Sequence, residues 1–288
     1  MLDFVFQVDE MPREADKFRA LDASIVNGGN AANSAIAVAR LGGETMLAAR
    51  IGDDIVADLV LAGLQREGID TQLVRRFASH RSSFSSIYVD RQGERQIMNF
   101  RDMSLSMEPG WLVDAIPDGL DAVMSETRWP AGAETAMRAA RKQNIPGVMD
   151  VEAPVAGNEA ALALSSHVAF SATAAREFSG ERTLDQALRY AGKHLPGKVM
   201  VTDGSKGVLV LEGEDIHTYP AFPVDAVDTL GAGDTWHGAL ALRLGEGAEL
   251  TEAIRFSNAA AAIKCTRVGG SAGAPTRREV QNFLETQS

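Results

Sequence analysis

The residues most able to do chemistry are Asp228-Thr229-Leu230-Gly231-Ala232-Gly233-Asp234, which run straight into an apolar helical stretch, Thr235 to Leu244. Three small residues at a helix start leave successive backbone N–H groups uncovered, and the helix dipole favours negative charge in front of them. Asp234, in the same turn, is placed to accept a proton beside that anion hole. Proton acceptor and anion hole together suit phosphoryl transfer to a hydroxyl, where positioning and charge stabilisation supply most of the catalysis. The same residues also describe a glycine-rich turn with Asp234 as a helix cap, and spacing alone leaves both readings open.

A second cluster is Gly28-Gly29-Asn30-Ala31-Ala32-Asn33, continuing Ser34-Ala35-Ile36-Ala37-Val38-Ala39-Arg40-Leu41-Gly42. Paired glycines before a helix let a ligand approach the backbone, and Asn30 and Asn33 offer amide donors and acceptors to hydroxyls. Other candidates carry less. His237, three residues after Asp234, could be catalytic but reads rather as a packed or partly exposed histidine, since Asp234 already supplies a base. The five histidines show no pair at metal-ligand spacing, and one cysteine cannot build a zinc site. Trp111, Trp129 and Trp236 are too scattered for a nucleic-acid stacking platform. Cys265, in an apolar helix, reads as a core residue.

These residues must be positioned by a regular scaffold. Strand-like runs at 45–51, 121–125, 147–151, 167–171 and 198–202 are each followed by a helical pattern, such as Asp53 to Glu67, Gly132 to Gln143 and Leu184 to Leu195. That alternation predicts a doubly wound α/β fold with a mostly parallel sheet, its ligand outside the carboxyl ends of the strands. Helices near 232–244, 251–264 and 276–285 close the chain. Phe4 to Val8, Phe18 to Val26, Ser82 to Val89 and Arg95 to Phe100 are β-like without helices, the last two flanking a hairpin loop at Asp90-Arg91-Gln92-Gly93-Glu94. They predict a small β-sheet lid, from about 3–26 and 78–100, on one domain spanning 1–288. Exposed edges of that lid invite pairing with a second copy, a homodimer.

With 288 residues, 45% hydrophobic, the chain can bury one large core. Its net charge of −11 argues against a general polyanion surface, hence against nucleic acid, while leaving room for a nucleotide held by backbone amides. No apolar run approaches a membrane span, and a lone cysteine fits a reducing compartment, so the cytoplasm is the expected location.

The turn at 228–234 resembles the second signature of the PfkB/ribokinase family of carbohydrate kinases, and Gly28 to Gly42 resembles the first. Thr202-Asp203-Gly204-Ser205-Lys206-Gly207 resembles the family's nucleotide-binding turn. The resemblance covers nearly the whole chain. It implies a ribokinase-like fold and an ATP- and Mg²⁺-dependent sugar kinase. It makes Asp234 the general base and Gly231, Ala232 and Gly233 the anion hole, with Asp3, Gly28, Gly29 and Asn33 on the sugar. Thr202, Gly204 and Gly207 fall by the phosphates and ribose, and Asn258 at the adenine end. In some relatives a monovalent cation binds nearby, which makes Asp228 and the loop from Arg267 to Gly273 a candidate K⁺ site.

Two departures stand out. Family members begin with a strand of about ten residues before the position of Asp3. Its absence implies a start internal to a longer chain, or an apolar slot that a neighbouring segment fills. The family's Asn-x-x-Glu motif, tied to Mg²⁺ and phosphate, falls on Ser171 and Ala174, leaving Glu152 or Glu177 as substitutes. Lys17, Asn99 and Arg128 are placed to converge on the far end of the acceptor pocket, and two cations with an amide suit an anionic group remote from the reacting hydroxyl. Within the family the chain most resembles the sulfofructose kinases, through Arg128-Trp129, His167 to Ser171 and Lys264 to Arg267. That implies 6-deoxy-6-sulfofructose as substrate, phosphorylated on O1, with a fructokinase, ribokinase or other sugar or sugar-acid kinase of the family, or a catalytically weak sugar-sensing pseudokinase, as alternatives.

Overall fold

The computed structural model describes residues 1–92 and 94–287; Gly93, in the expected hairpin loop, lies outside them. The elements run β1 (Leu2–Gln7), β2 (Asp22–Asn27), α1 (Asn30–Arg40), β3 (Ala49–Gly52), α2 (Ile55–Arg66), β4 (Val74–Phe77), β5 (Phe84–Val89) and β6 (Arg95–Phe100). There follow α3 (Gly110–Val113), β7 (Val123–Glu126), α4 (Pro130–Gln143), β8 (Gly147–Val151), α5 (Glu159–Leu164), β9 (His167–Ser171), α6 (Ala172–Ser179) and α7 (Leu184–His194). The last are β10 (Lys198–Thr202), β11 (Val208–Glu212), β12 (Asp215–Tyr219), α8 (Ala232–Gly245), α9 (Leu250–Cys265) and α10 (Arg277–Thr286).

Six strands form the main sheet in the order β12-β11-β10-β9-β8-β7. The pairs from β7 to β10 are parallel, and β11 and β12 extend the sheet antiparallel. Helices cover both faces. Met149, Val168 and Phe170 pack against α4 to α7, while Met200, Val210 and Ala169 meet Trp236 and Leu240 of α8 and Ile254 of α9. Strands buried on both faces should read as continuous apolar runs. Asp150, in the fully buried β8, breaks that rule.

The lid is a separate four-stranded sheet, β2-β1-β5-β6. Its register sets Val26, Asp3, Ser85 and Asn99 in one row across the sheet. The strand expected from Phe18 begins only at Asp22. Residues 9–20 are rich in charge and lack the alternation that a half-buried strand needs.

β3 and β4 make a third, two-stranded parallel sheet. Between β7, the loop before β3, α1, α4 and α8 lies a cavity of about 570 Å³, lined among others by Ala35, Leu47, Met124 and Leu242. No helix among the described residues is long and apolar enough to cross a membrane.

Candidate active site

The site forms where α1, α8 and the ends of β7 and β8 meet. Gly238 lets α1 and α8 touch: a Cβ there would fall 2.6 Å from the Ser34 carbonyl oxygen. The contact brings the first turns of both helices together. Asn33 Nδ2 donates to Asp234 Oδ2 at 2.7 Å, and Ser34 Oγ donates to the Asp234 carbonyl at 3.0 Å. Ahead of them Gly231 takes a left-handed φ of 76°, the turn that starts α8. Ala232 N–H is spent on the Thr229 carbonyl, whereas the N–H groups of Gly233 and Asp234 have no acceptor among the described residues. A Cβ added at Gly233 would meet nothing within 4 Å. Two unpaired donors at an open helix N-terminus thus stand beside a carboxylate, an arrangement able to receive an anion and a proton.

Asp234 is no ordinary carboxylate. Burial, then the proximity of Asp150, pushes its pKa up from 3.8 to about 7, while the Asn33 amide pulls the other way. Asp150, 1% exposed, is raised well above the usual range by burial and by Glu152 and Glu126, and the Asn30 side chain bonds to it. Asn30 and Asn33, three residues apart on one helix face, thus hold two carboxylates from different elements. Beneath them His237, also buried, donates Nδ1–H to the Gly233 carbonyl at 2.8 Å and sets Nε2 3.5 Å from Asp150 Oδ1. Burial lowers its pKa, so it packs as a neutral ring, the first of the two structural readings its position allowed. Asp150 and Glu126 were missed in the sequence. Their signal was an acidic residue at the end of a buried strand, where an unpaired carboxylate is costly.

On the lid side, Asp3 is 8% exposed, its pKa raised by burial and eased by a bond with the Ser85 hydroxyl. A Cβ at Gly28 would lie 2.0 Å from Asp3 Oδ2, so this carboxylate presses on bare backbone. Gly29, with φ 97°, is the N-cap of α1. Asn99 joins the group by donating to Ser85 Oγ at 3.1 Å. Arg128 donates its backbone N–H to Glu126 and its guanidinium to the Ala153 carbonyl at 3.0 Å. Lys17 is exposed in the loop between β1 and β2, and its ammonium has no partner among the described residues. Asp3 and Asn99 thus meet through Ser85, Arg128 sits beside Glu126, and Lys17 is exposed in the β1–β2 loop. Trp111 and Trp129 are less scattered than their spacing suggested: their rings stack 5.8 Å apart, with Arg50 over Trp129 and Arg75 over Trp111.

Thr202 ends β10, and Gly204 opens the short turn after it. A Cβ at Gly207 would strike the Tyr219 carbonyl at 2.1 Å, so close packing against the β12 end fixes that glycine. Asn258 accepts from Trp236 Nε1 at 2.8 Å and donates to the Pro220 carbonyl at 2.9 Å, so both ends of its amide are engaged. Ser171 caps α6 through the Ala174 N–H, and Ala174 is wholly buried, so neither position can hold a metal. Glu177 is tied to the Val155 N–H at 2.8 Å. Glu152 acts electrostatically on both Asp150 and Asp234. No cluster of three or more metal-ligating side chains exists among the described residues.

The K⁺ expectation at Asp228 does not fit these residues. Oδ1 accepts from Arg95 at 2.7 Å and Leu230 N–H at 2.9 Å. Oδ2 accepts from the N–H groups of Gly269 and Gly270 at 3.1 and 3.2 Å, with Lys264 Nζ 3.3 Å away.

A buried carboxylate at a glycine-rich helix start, under a lid and at the carboxyl ends of a parallel sheet, is an arrangement suited to a phosphotransferase acting on a small hydroxyl compound. Comparison with known proteins agrees: the model of the pfkB family carbohydrate kinases matches residues 1–277, and the chain belongs to that family. It is an ATP-dependent sugar kinase with the ribokinase-like fold. The ribokinase of Bacillus subtilis is 28% identical over 98% of this chain and 96% of its own length. Among solved structures, a provisionally assigned ribokinase from Agrobacterium tumefaciens has a TM-score of 0.89 and 33% identity, covering 99% of this chain and 95% of that one. Ribokinase from Thermotoga maritima gives 0.85 and 28%, over 99% and 96%. These named relatives are ribokinases and not, as the sequence motifs implied, sulfofructose kinases.

Proposed function

We propose that the protein transfers the γ-phosphoryl group of ATP to a hydroxyl of ribose or a closely related neutral sugar. One observation carries this reading. Asp3 Oδ1, Asn33 Oδ1 and Asp150 Oδ1 are buried acceptors with no donor among the described residues. Unmatched buried acceptors are costly, and the hydroxyls of a polyol supply the missing donors. Carboxylates dominate the pocket, through Asp3, Glu126, Asp150, Glu152 and Asp234, which disfavours a substrate carrying its own negative charge. The ribokinases among the relatives support the same choice.

In this account Asp3, Asn30, Asn33 and Asn99 orient the sugar. Asp234 takes the proton of the attacking hydroxyl, and the Gly233 and Asp234 N–H groups hold the negative charge on the transferred group, with Gly231 and Ala232 shaping the turn. Thr202, Gly204, Gly207 and the Asn258 end line the nucleotide. Mg²⁺ comes with the triphosphate and offsets its charge, as it binds mainly through phosphates and water. A homodimer through the lid is part of the proposal, supported by exposed Ile25, Ile97 and Met98 on the edge strands β2 and β6.

Steady-state ADP release with ribose, 2-deoxyribose, fructose and 6-deoxy-6-sulfofructose tests the reading. Ribose or its deoxy analogue should show the highest kcat/KM. A preference for the sulfonated ketose would assign Arg128 and Asn99 to anion recognition and refute the neutral-sugar choice.

A further inference from the structure

Lys264 is the only lysine or arginine buried from solvent among the described residues, at 0% exposure. An ammonium so placed must be paired, since an isolated buried charge is strongly disfavoured. Its Nζ donates to the Asp228 carbonyl at 2.7 Å and lies 3.3 Å from Asp228 Oδ2. The Asp228 carboxylate also receives the Gly269 and Gly270 N–H groups, and the Cys265 carbonyl accepts from the Val227 and Asp228 N–H groups. Lys264 and Asp228 thus join two loops, 227–231 and 267–273. The joint lies directly behind the turn that ends in the unpaired donors of Gly233 and Asp234. A Cβ on Gly231 would lie 3.6 Å from the Gly270 and Ser271 backbone, so the two loops run side by side at that point. With Arg95 on the other carboxylate oxygen, two cations face one carboxylate, a net positive charge behind the anion hole.

We propose that the Lys264 ammonium is a built-in monovalent cation. It bridges the oxygens of Asp228 between these loops, so the enzyme works without K⁺ or any other dissolved alkali cation. The proposal rests on reading 231–234 as the phosphate-receiving turn. It makes Lys264 a positioning residue: it touches no substrate, and acts by holding the turn and its charge.

The test compares kcat and KM for ATP in choline, Na⁺ and K⁺ chlorides at equal ionic strength. Wild-type values should agree within about twofold across the salts, because surface screening is held constant. Lys264→Ala opens a space behind Asp228. In choline its kcat should fall about tenfold or more, as electrostatic preorganisation is lost. Added K⁺, ammonium or methylammonium should restore much of that rate. Lys264→Met, which refills the space with an uncharged chain, should be inactive in all of them. Activation of the wild type more than about fivefold by K⁺ over choline would overturn the proposal, and this arm needs no variant to fold. Full activity of Lys264→Ala in choline would overturn it too. If instead no sugar-dependent ADP release occurs in any salt, the kinase reading itself fails, an outcome separate from cation dependence.

Discussion

Replacing Asp234 with asparagine separates the catalyst from the helix cap. The change is nearly isosteric, and the new amide oxygen can still accept from Asn33. The carboxyl is pushed from 3.8 to about 7 in the folded protein, first by burial and then by Asp150. A raised folded-state pKa means that the fold favours the protonated form. The associated stability is therefore full below about pH 4 and is lost as pH rises through 7. At 1.36 kcal/mol per unit, the ionised carboxylate costs at most about 4 kcal/mol above pH 7, since one side opens on the pocket. Asparagine removes that cost. Its stabilisation relative to wild type should grow by about 2–3 kcal/mol between pH 5 and pH 8, a melting shift of roughly 5–10 °C. Turnover should fall by about 10²–10⁴, as expected for loss of a general base. Thermal melts at both pH values, with ADP-release kinetics, measure both effects. A cap would behave the opposite way, losing stability with the charge and keeping turnover. A variant with near-wild-type kcat, or one less stable than its parent at pH 8, refutes the reasoning.

Three further outcomes follow from the same geometry. Wild-type kcat/KM should rise with pH through about 7, and Asn33→Ala, which removes a charge-assisted bond of about 1.5–3 kcal/mol, should move that inflection up by about one to two units; a pH–rate profile that does not move would count against the coupling. Gly233→Val should fold normally, its Cβ meeting nothing within 4 Å, yet lose activity by blocking the helix N-terminus; circular dichroism and ADP release decide this together. Gly28→Ala should displace the Asp3 carboxylate and raise the sugar KM by about tenfold with little change in the KM for ATP; equal changes in both would indicate a general distortion.

Much of the fold was legible because strand–helix alternation carries its own period. The runs at 147–151, 167–171 and 198–202 are β8, β9 and β10 to the residue. The antiparallel hairpin of β11 and β12 was missed, as was the short β4, each only four or five residues long and flanked by charge. In the site, the 228–234 turn announced itself through small residues beside an acid. Asp150 did not, because its importance lies in what surrounds it: a neutral histidine, a second acid, and burial from water. Lys264 counted in the sequence only as part of the family-like stretch to Arg267, with no role of its own. In sequence it is one lysine in an alanine-rich helix, and only the fold shows that its ammonium ends on Asp228. Lys17, Asn99 and Arg128 show the converse limit: chain position grouped them, while in the fold Asn99 bonds to Ser85, Arg128 to the Ala153 carbonyl, and Lys17 is exposed.

The central claim is phosphoryl transfer to a neutral sugar through Asp234, and ³¹P NMR of the protein with ATP, Mg²⁺ and ribose tests it most directly. The account expects a new phosphomonoester resonance that grows in step with ADP and is lost with Asp234→Asn. Inorganic phosphate as the only new product, or unchanged ATP in the presence of ribose and its neutral relatives, would contradict it.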